Sequence, residues 1–136
     1  MGKTAQPNWL PRDRHVSVWV GDRCWLERVS ILRGFLQRGF GLMGRRKVPA
    51  SWGQGLFFPH CRSLHTLFMR FDLQMVFLDA EGVVVDVREA VRPWRSVTGP
   101  RAAKHVLECV GQAALLPQVG EKFTLRSLTD SAGTHV

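Results

Sequence analysis

The chain has 136 residues, 45% of them hydrophobic and 22% charged, with three cysteines and a net charge of +8. That is one domain's worth of sequence with enough apolar residues for a core, which excludes a disordered tail or a disulfide-stapled miniprotein. Cys24, Cys61 and Cys109 are odd in number and share no short repeat spacing, so they read as reduced thiols in a reducing compartment.

Residues 1–14 carry Pro7 and Pro11 without periodicity and read as a flexible arm ahead of a single globular domain, residues 15–129, with a short tail at 130–136. No apolar leader opens this arm and no run is long enough to span a membrane, so the reading is cytoplasmic, or an excised domain of an exported protein. His15 to Val20 alternates valines with Ser17 and Trp19 as a strand does. Gly21-Asp22 is a tight turn into a second strand, Arg23 to Val29. From Ser30, the residues Ile31, Leu32, Phe35 and Leu36 fall at helical spacing, with Ser30 as cap and Gly39 as stop, which predicts a short amphipathic helix.

Residues 44–54 hold Arg45-Arg46-Lys47, Pro49 and Gly53 and form a basic loop. Here the charge is concentrated: residues 1–50 hold ten Lys/Arg against three Asp/Glu, and the remainder nine against eight. Such a field attracts polyanions weakly and without sequence preference, or merely solvates one face. Leu56 to Phe58 is a buried strand. Met75–Leu78 and Val83–Val87 form a hairpin through Asp79-Ala80-Glu81-Gly82, where Asp79 supplies turn chemistry. Residues 91–100 read as loop, Val106–Val110 and Phe123–Leu128 as strands, and Gln112–Leu116 as a helical turn. The sum is a mainly β (α+β) domain: a small barrel or sandwich of short, mostly antiparallel strands with one or two short helices. Leu42, Met43, Phe57, Phe77, Leu78, Val84 and Leu107 are expected in one core.

Polar groups inside the apolar run from Gly55 to Asp79 must find partners or line a site. Cys61 and His65 are the residue types of a zinc ligand pair or a nucleophile and base. Their spacing works against both, since positions four apart on a strand are about 13 Å from each other. No second ligand pair accompanies them, so no metal site and no cofactor is expected.

The same run, GLFFPHCRSLHTLFMRFDLQMVFLD, together with Gly41-Leu42-Met43 and Arg45 before it and Pro93-Trp94-Arg95 and Val106-Leu107-Glu108 after it, resembles the domain of unknown function 192 family, also called uncharacterised protein family 0127. The resemblance spans about residues 16–128 in matching order and implies a fold without an established activity. It singles out His65 and Thr66, which lead to Met69 as in relatives, together with Trp94, Arg95 and Glu108. The family's pattern before the apolar strand is proline, an aliphatic residue and an aspartate, whereas this chain has Asp72, Leu73 and Gln74. An amide neither ionises nor takes up a proton near neutral pH, so any acid–base task at that position is lost while hydrogen bonding survives.

Three functions follow as expectations. The first is a non-enzymatic accessory protein binding an unknown protein or small-molecule ligand through a pocket around His65, Thr66, Gln74, Trp94, Arg95 and Glu108, with Arg45, Arg46 and Lys47 at its rim. The second is a small hydrolase using His65 with Asp72 or Glu108. The third is weak polyanion or nucleic-acid binding through the basic first half. No phosphate loop, GxSxG, HExxH or RNA-reading aromatic pattern is present, and the first is favoured.

Overall fold

In a computed structural model, residues 8–33, 53–65, 73–92, 95–109 and 115–128 are described. Nine strands account for nearly all of their regular structure. They are β1 (His15–Val20), β2 (Arg23–Ile31), β3 (Gly55–Phe58), β4 (Ser63–His65), β5 (Leu73–Leu78), β6 (Val84–Val91), β7 (Ser96–Thr98), β8 (His105–Cys109) and β9 (Phe123–Ser127). Seven form one curled sheet in the order β6-β5-β8-β3-β2-β1-β9, and β4 pairs with β7 in a separate ribbon. Every pairing is antiparallel except β2 with β3.

Local chemistry explains the two hairpins. Val20 opposes Arg23 across a two-residue turn, and Gly21 at φ 60° supplies the left-handed backbone that such a turn needs at its first central position. At the other hairpin the Asp79 carboxylate accepts the amides of Glu81 (2.9 Å) and Val83 (3.0 Å), the turn chemistry expected of it. Register shifts in β1–β2 and β5–β6 add local twist and help curl the sheet into a half-barrel. Its ends meet at one place. Val83 bridges Lys122, the Val84 amide donates to the Glu121 carbonyl (2.8 Å) and the Gly120 amide to the Val84 carbonyl (2.8 Å).

Side-chain alternation then gives the sheet two buried faces. On the concave face Val16, Val18, Val29, Phe57, Val76, Leu107 and Phe123 pack together. On the other face Leu56, Leu73, Met75, Phe77 and Val106 pack with Leu32, Ala103 and with Val97 of β7. Phe57, Phe77, Leu78, Val84 and Leu107 are buried as expected, but in two cores: Phe77 belongs to the second and the others to the first. Leu42 and Met43 lie outside the described residues.

Three expectations are corrected. Ser30 and Ile31 continue β2, because their backbones pair with Leu56 and Phe57 of β3 and Leu32 donates to the Phe57 carbonyl (2.9 Å). A distant partner strand outweighed the local helical spacing; the rest of that predicted helix, residues 34–39, lies outside the described residues. Within the predicted loop 91–100, Ser96–Thr98 is strand β7, its short edge paired to β4. Of the predicted helical turn Gln112–Leu116, Leu115 and Leu116 are irregular and residues 112–114 lie outside the described residues, which contain almost no helix. Of the predicted arm, residues 8–14 are in contact with the barrel: Leu10 is buried in the concave core, and Trp9 meets Phe57 edge-on while its Nε1 donates to the Ala80 carbonyl (2.8 Å). No helix among the described residues is long and apolar enough to cross a membrane.

Candidate functional site

Beyond Val84 the two ends of the curled sheet separate, and an open cleft of about 760 Å3 lies between β6 and residues 115–119. Gln74, at the start of β5, contributes to its lining with Asp86 and Glu89 of β6. The far wall is held in shape locally. The Gln118 amide donates to Glu121 Oε1 (2.7 Å) and the Glu121 amide to the Gln118 carbonyl (3.0 Å), while Gly120 is tied to β6 through Val84. Pro117 is buried in this turn, whereas Leu115 and Val119 are each 64% exposed on the cleft. These two are the large apolar side chains most exposed among the described residues. Asp86 accepts from Arg88 Nε (2.7 Å), and the Arg88 guanidinium lies over the Phe77 ring at 5.5 Å.

The residues singled out by sequence do not form one pocket. Gln74 opposes Cys109 across β5–β8, and Met75 opposes Glu108. Facing residues share a face and neighbours along a strand do not, so Gln74 belongs to the concave face and Glu108 to the other. His65 opposes Ser96, which brings it beside the segment leading from Arg95, in the ribbon whose Val97 packs in the second core with Met75 and Val106. Arg95 is exposed. Thr66, Trp94, Arg45, Arg46 and Lys47 lie outside the described residues. Cys61 donates its thiol to the Ser63 carbonyl (3.2 Å), and Ser63–His65 is extended rather than helical. Among the described residues no group of three His, Cys, Asp or Glu is placed to hold a metal ion, and the three cysteines are free.

Three buried ionisable groups on β8 have shifted protonation. Burial among apolar side chains raises the Glu108 carboxyl to about 8, so it is protonated at neutral pH. The Cys109 thiol is raised to about 12, chiefly by burial and secondarily by Glu108, which keeps it from acting as a thiolate. His105, passed over in the sequence reading, is lowered to about 4 by burial, with a smaller contribution from His60. Its Nδ1 accepts the His60 amide (3.0 Å), its ring stacks on Phe57 and meets Trp9 edge-on, and His60 reaches it in a left-handed conformation at φ 55°. This is a neutral core histidine with a satisfied nitrogen. None of the three lines the cleft. The cleft's own Glu89, Leu115, Gln118 and Val119 were also missed, since loop leucines and valines give no sequence sign of being left exposed.

The comparisons with known proteins agree with this architecture. The DUF192 family, described as an uncharacterized ACR, matches residues 19–122. A UPF0127 protein of Pyrococcus abyssi is 36% identical over 106 residues, covering 72% of this chain and 86% of that one. A UPF0127 protein of Thermococcus sibiricus is 32% identical over 90 residues, 63% of this chain and 56% of its own length. Two crystal structures share the fold. One is a proposed transcription regulator from Sinorhizobium meliloti, with TM-score 0.67 and 19% identity over 82% of this chain and 92% of that one. The other is a protein of unknown function from Novosphingobium aromaticivorans, with TM-score 0.61 and 20% identity over 80% and 82%. On the family match over most of its length and the Pyrococcus relative, the chain belongs to the DUF192 family of UPF0127 proteins.

Proposed function

We propose that this protein is a non-enzymatic binding module whose ligand occupies the cleft between β6 and residues 115–119. The observation that carries the reading is the lining: amides at Gln74 and Gln118, the carboxylate of Glu89 and two exposed aliphatic side chains meet in one open trough, while the Asp86 carboxylate turns to Arg88 on the Phe77 face. A trough of this kind offers orientation through hydrogen bonds and affinity through apolar contact. Catalysis asks for something more, titratable groups with shifted pKa values converging on the same space. Here those groups are His105, Glu108 and Cys109, buried away from the trough. A hydrolase using His65 with Glu108 as base is disfavoured further, because a carboxyl whose pKa is raised to about 8 is mostly protonated at neutrality and offers little of its proton-accepting form.

Titration of the isotopically labelled full chain with a fragment and peptide library tests this by amide chemical shifts. Ligands of the module shift the amides of Gln74, Glu89 and Gln118, and the double variant Leu115→Asp, Val119→Asp weakens them at least tenfold. Turnover of an ester, amide or phosphodiester substrate that disappears in His65→Ala or Glu108→Gln overturns the reading in favour of an enzyme.

A further inference from the structure

The reading of the cleft as a binding site leaves its ligand class open, and the sheet edge beside it narrows the choice. Strand β6 ends the seven-stranded sheet. On one side it pairs with β5; on the other it is tied to residues 120–121 only through Val84. From Asp86 onward no strand among the described residues pairs with that outer side, and the cleft opens along residues 86 to 90. The eight residues of β6, VVDVREAV, contain neither proline nor glycine. An edge of this length presents backbone donors and acceptors that water or an added strand must satisfy.

We propose that the cleft takes an extended, cationic segment of a partner protein, which adds as a further strand to the open edge of β6. Charge argues for the sign. The chain as a whole carries +8, yet the cleft presents the Glu89 carboxylate and is lined by no Lys, Arg or His, the Asp86 carboxylate being held by Arg88 on the Phe77 face. A polyanion drawn by the overall field has no partner there, whereas a Lys or Arg on the incoming strand meets Glu89, which is exposed and free of the Arg88 contact that Asp86 makes. Leu115 and Val119 across the trough then receive the apolar side chains that share the strand with the cationic ones. Main-chain pairing supplies affinity and the alternating side chains supply selection, as in other strand-addition sites. The charges on β6 have a second effect, because they discourage the edge of one copy from pairing indiscriminately with that of another.

Selection of a displayed random heptapeptide library against the full chain tests the proposal. Enriched peptides are expected to combine Lys or Arg with Val, Ile or Thr and to lack Asp and Glu. A synthetic copy of one such peptide, followed by fluorescence anisotropy, should bind at least tenfold more weakly to Glu89→Lys and to Leu115→Asp, and equally well to Arg126→Ala on β9, whose guanidinium lies over Trp19 and does not line the cleft. Methylating alternate backbone nitrogens of the peptide should also cost at least tenfold, since it removes the donors a strand offers to β6. Thermal melts of the variants separate lost binding from lost folding. Failure to enrich any peptide, enrichment of acidic ones, or binding indifferent to backbone methylation overturns the proposal. Small molecules that shift the cleft amides in the absence of any strand-forming peptide would retain the binding module and remove only its peptide ligand; silence from both libraries removes both.

Discussion

His105 and Glu108 are buried three residues apart on β8, one on each face of the sheet, and the comparison shows how the same burial acts oppositely on a base and an acid. His105 faces the concave core, where its ring is sandwiched by aromatics and Nδ1 accepts the His60 amide. Glu108 faces the second core among Leu56, Met75 and their neighbours. Both are held neutral, one by remaining deprotonated and the other by remaining protonated. Burial is the first cause in each case, so the same desolvation makes the domain sensitive to acid on one face and to base on the other.

The largest test of this two-faced construction is truncation of one aromatic on each side. Phe57→Ala and Phe77→Ala should each cost on the order of 3 kcal/mol or more in urea unfolding, because both rings are fully buried. A loss below half of that for either variant would mean that its face contributes little to the fold. Phe77 carries an additional constraint: Gly99 packs so closely that a methyl there would come within 2.4 Å of its ring.

A finer test is the pH dependence of stability. The unfolded state binds the extra proton at His105 between about pH 4 and 6.5, so that group makes stability rise with pH over this window. The folded state holds the extra proton at Glu108 between 4.5 and about 8, so that group makes stability fall with pH there. Each slope is on the order of 1 kcal/mol per pH unit. The two oppose one another from 4.5 to 6.5, leaving their joint contribution flat there and declining from 6.5 toward 8. Glu108→Gln should abolish the decline above 6.5 and uncover the rise below it, read from urea midpoints across the range. An unchanged profile would show that Glu108 is ionised in the folded protein.

The smallest expected effect concerns the excess of basic side chains in the first half. Binding of duplex DNA should be weak, indifferent to sequence and abolished near physiological salt, since three to five phosphate contacts lose roughly two orders of magnitude over a fourfold rise in salt. Sub-micromolar affinity for one sequence at physiological ionic strength, lost when Arg45 and Arg46 become Ala, would make that half a nucleic-acid site and displace the cleft from the centre of the function.

Local signals in the sequence were enough for the family, the mainly β class and both hairpins. Val16, Val18 and Val20 alternate with polar partners, Gly21 permits its turn, and the Asp79 side chain closes the other turn on amides two and four residues ahead. These are interactions between near neighbours, and the local order of residues specifies them. What lay beyond reach depends on which distant strands meet. Ser30 and Ile31 are strand because Leu56 and Phe57 lie beside them, and Ser96–Thr98 is strand because residues 63–65 do. Alternation showed that Gln74 and Met75 point to opposite faces, but only the β5–β8 register placed Glu108 with Met75 and so divided the expected pocket in two. The cleft itself arises from the incomplete meeting of β6 with residues 120–123, a consequence of sheet curvature summed over seven strands that no single segment encodes.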